Sequence, residues 1–330
     1  MQYLGHLPQN DPLFGYLREE IFPQLGCRGE AGIRVFKTFG SNDVYIYEDR
    51  ESDTKVVGKF FYSPLRNNDR EHAGRLLERE YRNIKLFRSF LSGTHYAAKA
   101  LGKNDSLNGL LVVEYCYGEP LDSVITRSIK SHDDGVLFDK LRTLAYFLAA
   151  VHNRSARPEN VDFQKICDYF KSVVGRLRCW IGSGEEKFLL DLLSQWKILP
   201  QMWSDRNVLV HGDATPSNFF FGDGNHVITF DLERVRWSDR VFDVGRLCGE
   251  LQHFFMRITG NKYLAEPFIG HFLWEYSCHF PDRERTFETL VQRVPFYMGT
   301  TLLRIARNGY LDMHYRRQLV QEGAACLRRR

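Results

Sequence analysis

The chain has 330 residues, 43% hydrophobic and 26% charged, with a formal net charge of +4 and a pI near 8.6. That length holds one large domain or two lobes, and the composition is that of a globular protein rather than a disordered or fibrous one. The charge is too mild for a nucleic-acid arm, and no apolar run approaches the roughly 20 residues that span a bilayer, so neither nucleic acid nor membrane is expected as a partner.

The opening "MQYLGHLPQNDPLFGYL" lacks the basic and long apolar regions of a secretory signal. The seven cysteines are scattered, odd in number and never arranged as C-x-x-C, so neither a disulfide framework nor a zinc site is expected. Together these features predict a reducing, cytoplasmic setting. The closing Arg328, Arg329 and Arg330 read as a solvated terminus.

Residues 12–25 carry apolar positions at helical spacing and stop near Gly26. The period then changes. "IRVFKTFGSNDVYIYEDRESDTKVVGKFFYS" predicts strands over about 33–38, 43–48 and 55–62, with Gly40, Ser41 and Asn42 turning the first hairpin and "EDRESD" the second. A helix is predicted over 70–91, then strands around 96–102 and 109–115. From Leu121 onward the pattern is mainly helical, with strong amphipathic stretches in "LFDKLRTLAYFLAAVHNRS", "DFQKICDYFKSVVGRLR" and "EEKFLLDLLSQWKIL". Short strands flank "HGDATPSN", and helices resume near Val244. The predicted organisation is α+β: an antiparallel-sheet N-terminal lobe over 1–118 and a larger, mainly helical lobe over 119–330.

Lys59 lies in "VVGKFFY", on the strand face it shares with Val57 and Phe61. Alone it reads equally as a lysine snorkelling from a sheet edge. In the following helix, Leu77, Tyr81, Ile84, Phe87 and Leu91 form the apolar stripe, and Glu80 points the same way, whereas Glu78 shares a polar face with Arg82 and Lys85. A carboxylate on a buried stripe needs a cation, and a lysine on a buried strand needs an anion, so Lys59 and Glu80 are expected to pair.

The stretch "LVHGDATPSNFFFGDGNHVITFDLE" places Asp213 two residues beyond one apolar run, Asn218 five later, and Asp231 at the end of another. Acids and an amide at strand ends suit a hard divalent cation such as Mg²⁺ and a proton acceptor. The pattern H-G-D-x-x-x-x-N arises by chance in about one chain of this length in a thousand at average residue usage.

"HGDATPSN" followed by "ITFDLE" resembles the catalytic loop and metal-binding Asp of the aminoglycoside phosphotransferases, a family related to choline kinases and more distantly to protein kinases. "VGKFF", "EREYRNIKLF", "VVEYCYGEPL", "LAYFLAAVH" and "RVFDVGRLCGEL" follow in the family's order, so the resemblance covers most of the chain. It implies a bilobal protein-kinase-like fold and an ATP- and Mg²⁺-dependent phosphotransferase. Lys59 would hold the α- and β-phosphates and Glu80 would position it. The hinge backbone at Glu114 and Cys116 would meet adenine, Asp213 would be the base, and Asn218 and Asp231 the Mg²⁺ ligands. Asp243 would brace the catalytic loop, and His211 would be architectural. "FGSND" has a single Gly where kinases carry G-x-G-x-x-G, leaving backbone contacts from Ser41 and Asn42 to phosphate as the expectation there. Leu232 replaces the usual aromatic between the acids, and Thr215 stands where the family often carries His.

A protein kinase would need a peptide platform after the metal-binding Asp, but Asp243 follows Asp231 by only twelve positions. A non-catalytic nucleotide-binding pseudokinase would lack the Lys, the base or a metal position, and all are present. The expected partner is a small-molecule hydroxyl acceptor. From Gly245 onward there are 13 Lys and Arg against 8 Asp and Glu, with Glu250, Glu275, Asp282 and Glu284 the main acids available to a polycation. A neutral or anionic acceptor, such as a sugar or hydroxy acid, is expected rather than an aminoglycoside.

Overall fold

Strand alternation in the first third of the chain and helical spacing in the rest produce two units. The structure, a computed structural model, describes all residues except 30, 39–42, 64–68, 92, 94, 223–225 and 330. By contact it divides into Met1–Tyr117 with Ile228–Glu233, and Gly118–Val227 with Arg234–Arg330. The six residues Ile228–Glu233 thus pack with a unit more than a hundred residues upstream.

The first unit is built on a six-stranded antiparallel sheet, in the order β1 (Gln2–His6), β2 (Ile33–Lys37), β3 (Asp43–Asp49), β4 (Lys55–Phe60), β7 (Leu110–Glu114) and β6 (Ala100–Asn104). One face is covered by the helical turns of residues 12–25, whose Leu13, Leu17, Ile21 and Phe22 pack with Ile33, Val56, Leu110 and Val112. Those residues form three short pieces rather than one helix: α1 (Pro12–Tyr16), a π turn over Leu17–Ile21 and a 3₁₀ turn over Phe22–Leu25. Pro23 has no N–H to continue the ladder.

Because strand side chains alternate, Val56 and Gly58 face that core while Lys59 points to the opposite side. There lies α2 (Arg70–Ser89), whose start is fixed by Asp69 accepting from the N–H groups of Glu71 and His72 at 3.2 Å. Its stripe of Ala73, Leu77, Ile84 and Phe87 is buried, each large side chain contributing about 1.5–3 kcal/mol of transfer free energy. β5 (Tyr96–Ala97) pairs in parallel with β11 (Val227–Thr229), which ties Ile228–Glu233 to this unit.

The second unit is mainly helical. β8 (Glu119–Pro120) leads into α3 (Leu121–Ser131), α4 (Asp134–Ser155), α5 (Phe163–Gly175) and α6 (Ser183–Lys197). A ribbon of β9 (Asn207–Val210) and β12 (Arg236–Asp239) pairs Val210 with Arg236 and Asn207 with Asp239. β10 (Phe219–Phe221) pairs with β8. Four helices complete the unit: α7 (Val241–Thr259), α8 (Glu266–Ser277), α9 (Arg283–Ala306) and α10 (Met313–Arg328). α7 is buried along most of its length and lies against α9 at very short range. A Cβ at Gly245 would lie 2.4 Å from the Tyr297 Cβ, and one at Gly249 would lie 2.8 Å from the Thr301 Cβ. Only glycine admits that approach. The aromatic core of the unit gathers Phe163, Phe170, Trp196 and Phe296. The seven cysteines are free thiols, five of them buried. Among the described residues, no helix is long and apolar enough to cross a membrane.

Candidate functional site

In the first unit, Lys59 and Glu80 are both buried, and Lys59 Nζ donates to Glu80 Oε2 at 2.8 Å. Nζ also lies 3.1 Å from Asp231 Oδ1 and 3.2 Å from Glu233 Oε2. Asp231 stands at φ 57°, a left-handed position that Asp and Asn tolerate better than most residues, and the turn Leu232–Arg234 follows at once. That bend lets the acids two positions apart reach the same ammonium. Asn83, one turn beyond Glu80 on α2, donates to the Leu232 carbonyl at 2.9 Å and pins the segment.

Burial works against the Lys59 ammonium, but Glu80, Asp231 and Glu233 outweigh it and hold its pKa above the ordinary lysine value. Burial pushes the Glu80 carboxyl up to about 7, against the pull of Lys59. Glu80, Asp231 and Glu233 each offer an oxygen within 4.8 Å of the others. Among the described residues, three carboxylates surround one ammonium, two negative charges in excess when all are ionised. Hard oxygen donors with that surplus fit a divalent cation of the Mg²⁺ type.

A double-mutant cycle with Lys59→Met and Glu80→Gln should show about 0.5–3 kcal/mol of coupling in urea unfolding. Lys59→Met should be the costlier single change. It takes away the ammonium that Glu80, Asp231 and Glu233 share, whereas Lys59 without Glu80 keeps Asp231 and Glu233. Strictly additive effects would mean that the pair does not act as a unit.

Glu114 ends β7, where its main-chain N–H donates to the Lys99 carbonyl at 2.8 Å and its side chain accepts from Lys99 N at 3.1 Å. Cys116 is buried two residues further on. Ser41 and Asn42 lie outside the described residues.

The second unit holds the loop. β9 delivers His211, Gly212 and Asp213 in succession. Asp243, fully buried in the first turn of α7, accepts from His211 N at 2.6 Å and Gly212 N at 2.9 Å. Gly212 adopts φ 79°, and a Cβ there would lie 2.1 Å from the Arg234 carbonyl oxygen, so the turn admits no side chain. Burial tends to raise the Asp243 pKa, but His152, His211 and the Gly212 N–H outweigh it and keep the carboxyl below the ordinary range. His152 in turn contacts Tyr276 OH at 2.7 Å. The buried His211 ring packs against Phe219. Downstream, Thr215 N donates to Asp213 O at 2.7 Å, and Asn218 Nδ2 donates to the same carbonyl at 2.9 Å. Asp213 and Asn218 are thus held together by the loop's own hydrogen bonds.

The Asp213 side chain is 17% exposed and carries arginines on both oxygens. Arg246 Nη1 donates to Oδ1, Arg304 Nη1 lies 3.8 Å from the same oxygen, and Arg234 Nε lies 3.7 Å from Oδ2. Burial would raise this carboxyl, but Arg246, Arg304 and Arg234 hold it below the ordinary carboxylate range. The sequence reading did not anticipate Arg246, Arg304 or Asn83 as partners of the site. Glu233 was not anticipated either, although "DLE" sets an acid two residues after the strand-ending Asp231.

The profile of the phosphotransferase enzyme family matches residues 36–279. Among solved structures, the chain is similar to an ethanolamine kinase from Plasmodium vivax at 14% identity, covering 89% of this chain and 80% of that one, with a TM-score of 0.56. It is similar to the choline kinase LicA from Streptococcus pneumoniae at 17% identity, covering 89% and 92%, with a TM-score of 0.53. An ADP-bound aminoglycoside phosphotransferase, APH(2'')-Ib, matches at 13% identity over 94% of this chain and 97% of that one, with a TM-score of 0.54. At such identities the likeness is one of fold, and that fold is kinase-like. No curated protein matches the chain in sequence.

Proposed function

The chain belongs to the phosphotransferase enzyme family, and from that premise we propose that it moves the γ-phosphate of Mg·ATP to a hydroxyl of a small molecule. The observation that carries this reading is the buried Lys59 among Glu80, Asp231 and Glu233. Among the described residues, acid already outnumbers the ammonium with the buried Glu80 and the partly buried Asp231 alone, and a cation with its ligand would offset that excess. Mg²⁺, when bound, offsets the negative charge of the phosphates.

In this reading Lys59 contacts the α- and β-phosphates and Glu80 fixes its position. Asp231 and Asn218 are the metal ligands, and Glu233 adds a third acid to the group. The main chain at Glu114 and Cys116 receives adenine, and Ser41 and Asn42 contact phosphate. Asp213 accepts the proton of the acceptor hydroxyl, and Asp243 keeps the loop in place. The acceptor oxygen bonds to the γ-phosphorus while the bond to the β–γ bridging oxygen breaks. The electron pair leaves on ADP, and the hydroxyl proton passes to the Asp213 carboxylate.

The interval after Asp231 favours a small acceptor over a peptide. The turn Leu232–Arg234, strand β12 and the start of α7 at Val241 occupy it, so no peptide platform fits there. ADP release from Mg·ATP, measured across a panel of small hydroxyl compounds, tests the reading. A pure binding module would release none above background.

Asp231→Asn should weaken Mg·ATP binding by about tenfold or more, the equivalent of about 1.4 kcal/mol. Asn keeps the tolerance for the left-handed backbone, so the substitution removes charge without straining the turn. Calorimetric titration at several Mg²⁺ concentrations measures it, and unchanged affinity and metal dependence would place the cation elsewhere.

A further inference from the structure

The surroundings of Asp213 hold more positive charge than a proton acceptor needs. Arg246 is 3% exposed; it donates through Nη1 to Asp213 and through Nη2 to Tyr169 OH at 2.8 Å. Arg304 donates to the buried Glu250 and reaches toward Asp213. Arg307 donates from Nε to the Arg304 carbonyl at 3.1 Å. Arg234 and the half-buried Arg236 complete the group. Among the described residues, the carboxylates beside Arg234, Arg236, Arg246 and Arg304 are Asp213, Asp243 and Glu250, and Arg307 lies beside Arg304 and Tyr169, so guanidinium groups outnumber acids even with Arg234 left out of the count. Among the described residues, the buried Nε atoms of Arg246 and Arg304 donate to no acceptor.

Burial lowers the Arg307 pKa, and Arg304, Arg176 and Arg234 add to that against the pull of Tyr169. Burial would raise the Tyr169 hydroxyl, but Arg246, Arg304 and Arg307 outweigh it and draw it down. In both groups the neighbouring arginines act in the direction of a cationic field. Of the two acids that α7 brings to the group, Asp243 accepts from the His211 and Gly212 N–H groups and Glu250 is already bonded to Arg304. Among the described residues, a cationic acceptor would find no uncommitted carboxylate in this group and several like charges.

We propose that the phosphate acceptor is a hydroxyl compound bearing an oxyanion, a carboxylate or a phosphate, held by Arg246, Arg304 and Arg307 so that its hydroxyl meets Asp213. This rests on the reading of Asp213 as the proton acceptor. Bidentate guanidinium–oxyanion pairs give both strength and direction. The incoming anion would also share Arg246, leaving Asp213 oxygen lone pairs for the hydroxyl. Until then Arg246 occupies Oδ1, so the base becomes available when the correct acceptor arrives.

The test uses matched sets: glycerol, D-glycerate, glycerol 3-phosphate, ethanolamine and kanamycin, then the corresponding polyol, acid and phosphate of larger sugars. Each is assayed for ADP release with Mg·ATP and for its effect on the thermal unfolding of the full chain. The expected result is that an acid or phosphate member is used about tenfold better in kcat/KM than its neutral partner and raises the melting temperature. Comparing acid with phosphate identifies which oxyanion is recognised. Arg307→Gln, a half-buried position with no carboxylate to strand among the described residues, should raise the KM for that member more than it lowers kcat and diminish the thermal shift. Arg304→Lys, which keeps a cation beside Glu250, should weaken the same shift.

Preference for the neutral or amino member, with phosphotransfer intact, would overturn the proposal and leave the phosphotransferase reading standing. So would a set in which no anion raises the melting temperature. Anion-dependent stabilisation lost in Arg307→Gln, with no ADP released on any acceptor, would uphold the anion site while sinking the phosphotransferase reading.

Discussion

Asp213→Ala should lose about 10²–10⁴-fold in turnover, the usual contribution of a positioned base, while Mg·ATP binds as before. The carboxylate is held where its loop puts it. Asp243 fixes the His211 and Gly212 N–H groups, and Thr215 and Asn218 return to the Asp213 carbonyl. Asp213→Asn should fall nearly as far, since it keeps the shape and removes the basicity. The pH profile adds a second readout. Burial would raise this carboxyl, but three arginines hold it below the ordinary range, so Asp213 stays ionised through neutral and mildly acidic pH. Its loss by protonation belongs below the usual carboxylate pKa of about 4, and an acid limb at higher pH must come from another group. Near-normal turnover of Asp213→Ala on the best acceptor would remove it from the chemistry.

Arg293→Met should cost about 3–5 kcal/mol of stability, the range for breaking one partner out of a buried ion pair. Its side chain is fully buried, bonded to Asp205 at 2.5 Å and to Asp239, which also accepts from Tyr297 OH and from Val241 N at 2.9 Å. Asp205 keeps a bidentate bond from Arg240 at 2.8 Å when Arg293 is gone. Asp239 has no second cation bonded to it among the described residues, so its charge becomes the stranded one. Native stability is commonly about 5–15 kcal/mol, so the loss is a large share. Asp239 lies opposite Asn207 on the strand that feeds His211, and turnover should fall with the melting temperature. Urea unfolding measures the change, and a cost under about 1 kcal/mol would show that the network relaxes around the gap.

Periodicity governs how much of the fold is legible in the sequence. The strands β2, β3, β4 and β7 and the helix α2 lie within one or two residues of their predicted limits, because each buries one regular face. The Lys59–Glu80 pair was legible for the same reason: a charge on each apolar stripe required the other. β1 was not foreseen. "QYLGH" is almost wholly exposed, so no buried face leaves a pattern, and its register slips between Tyr3 and Gly5. The stretch predicted as one strand over 96–102 is two, because Tyr96 and Ala97 pair with Ile228 and Thr229, a partnership that distant sequence cannot announce. The arginines on Asp213 were hidden likewise. Arg246 sits on α7 and Arg304 on α9, and only tertiary packing brings them to one carboxylate. The aromatic and basic character of the C-terminal stretch was visible, but not which arginines turn inward.

The bare backbone at Gly245 and Gly249 has a mechanical consequence. A shift of α7 along α9 by one residue, about 1.5 Å, would drive Tyr297 and Thr301 toward positions that carry side chains. The two helices are therefore keyed and cannot slide, and Arg246, Glu250 and Arg304 travel as a fixed set. Adjustment to acceptors of different size is left to Arg307 and to Arg234, whose side chain is 51% exposed. Directed evolution of acceptor preference should accumulate its first useful changes at those two edge positions, and changes on the α7–α9 seam should be purged for lost folding.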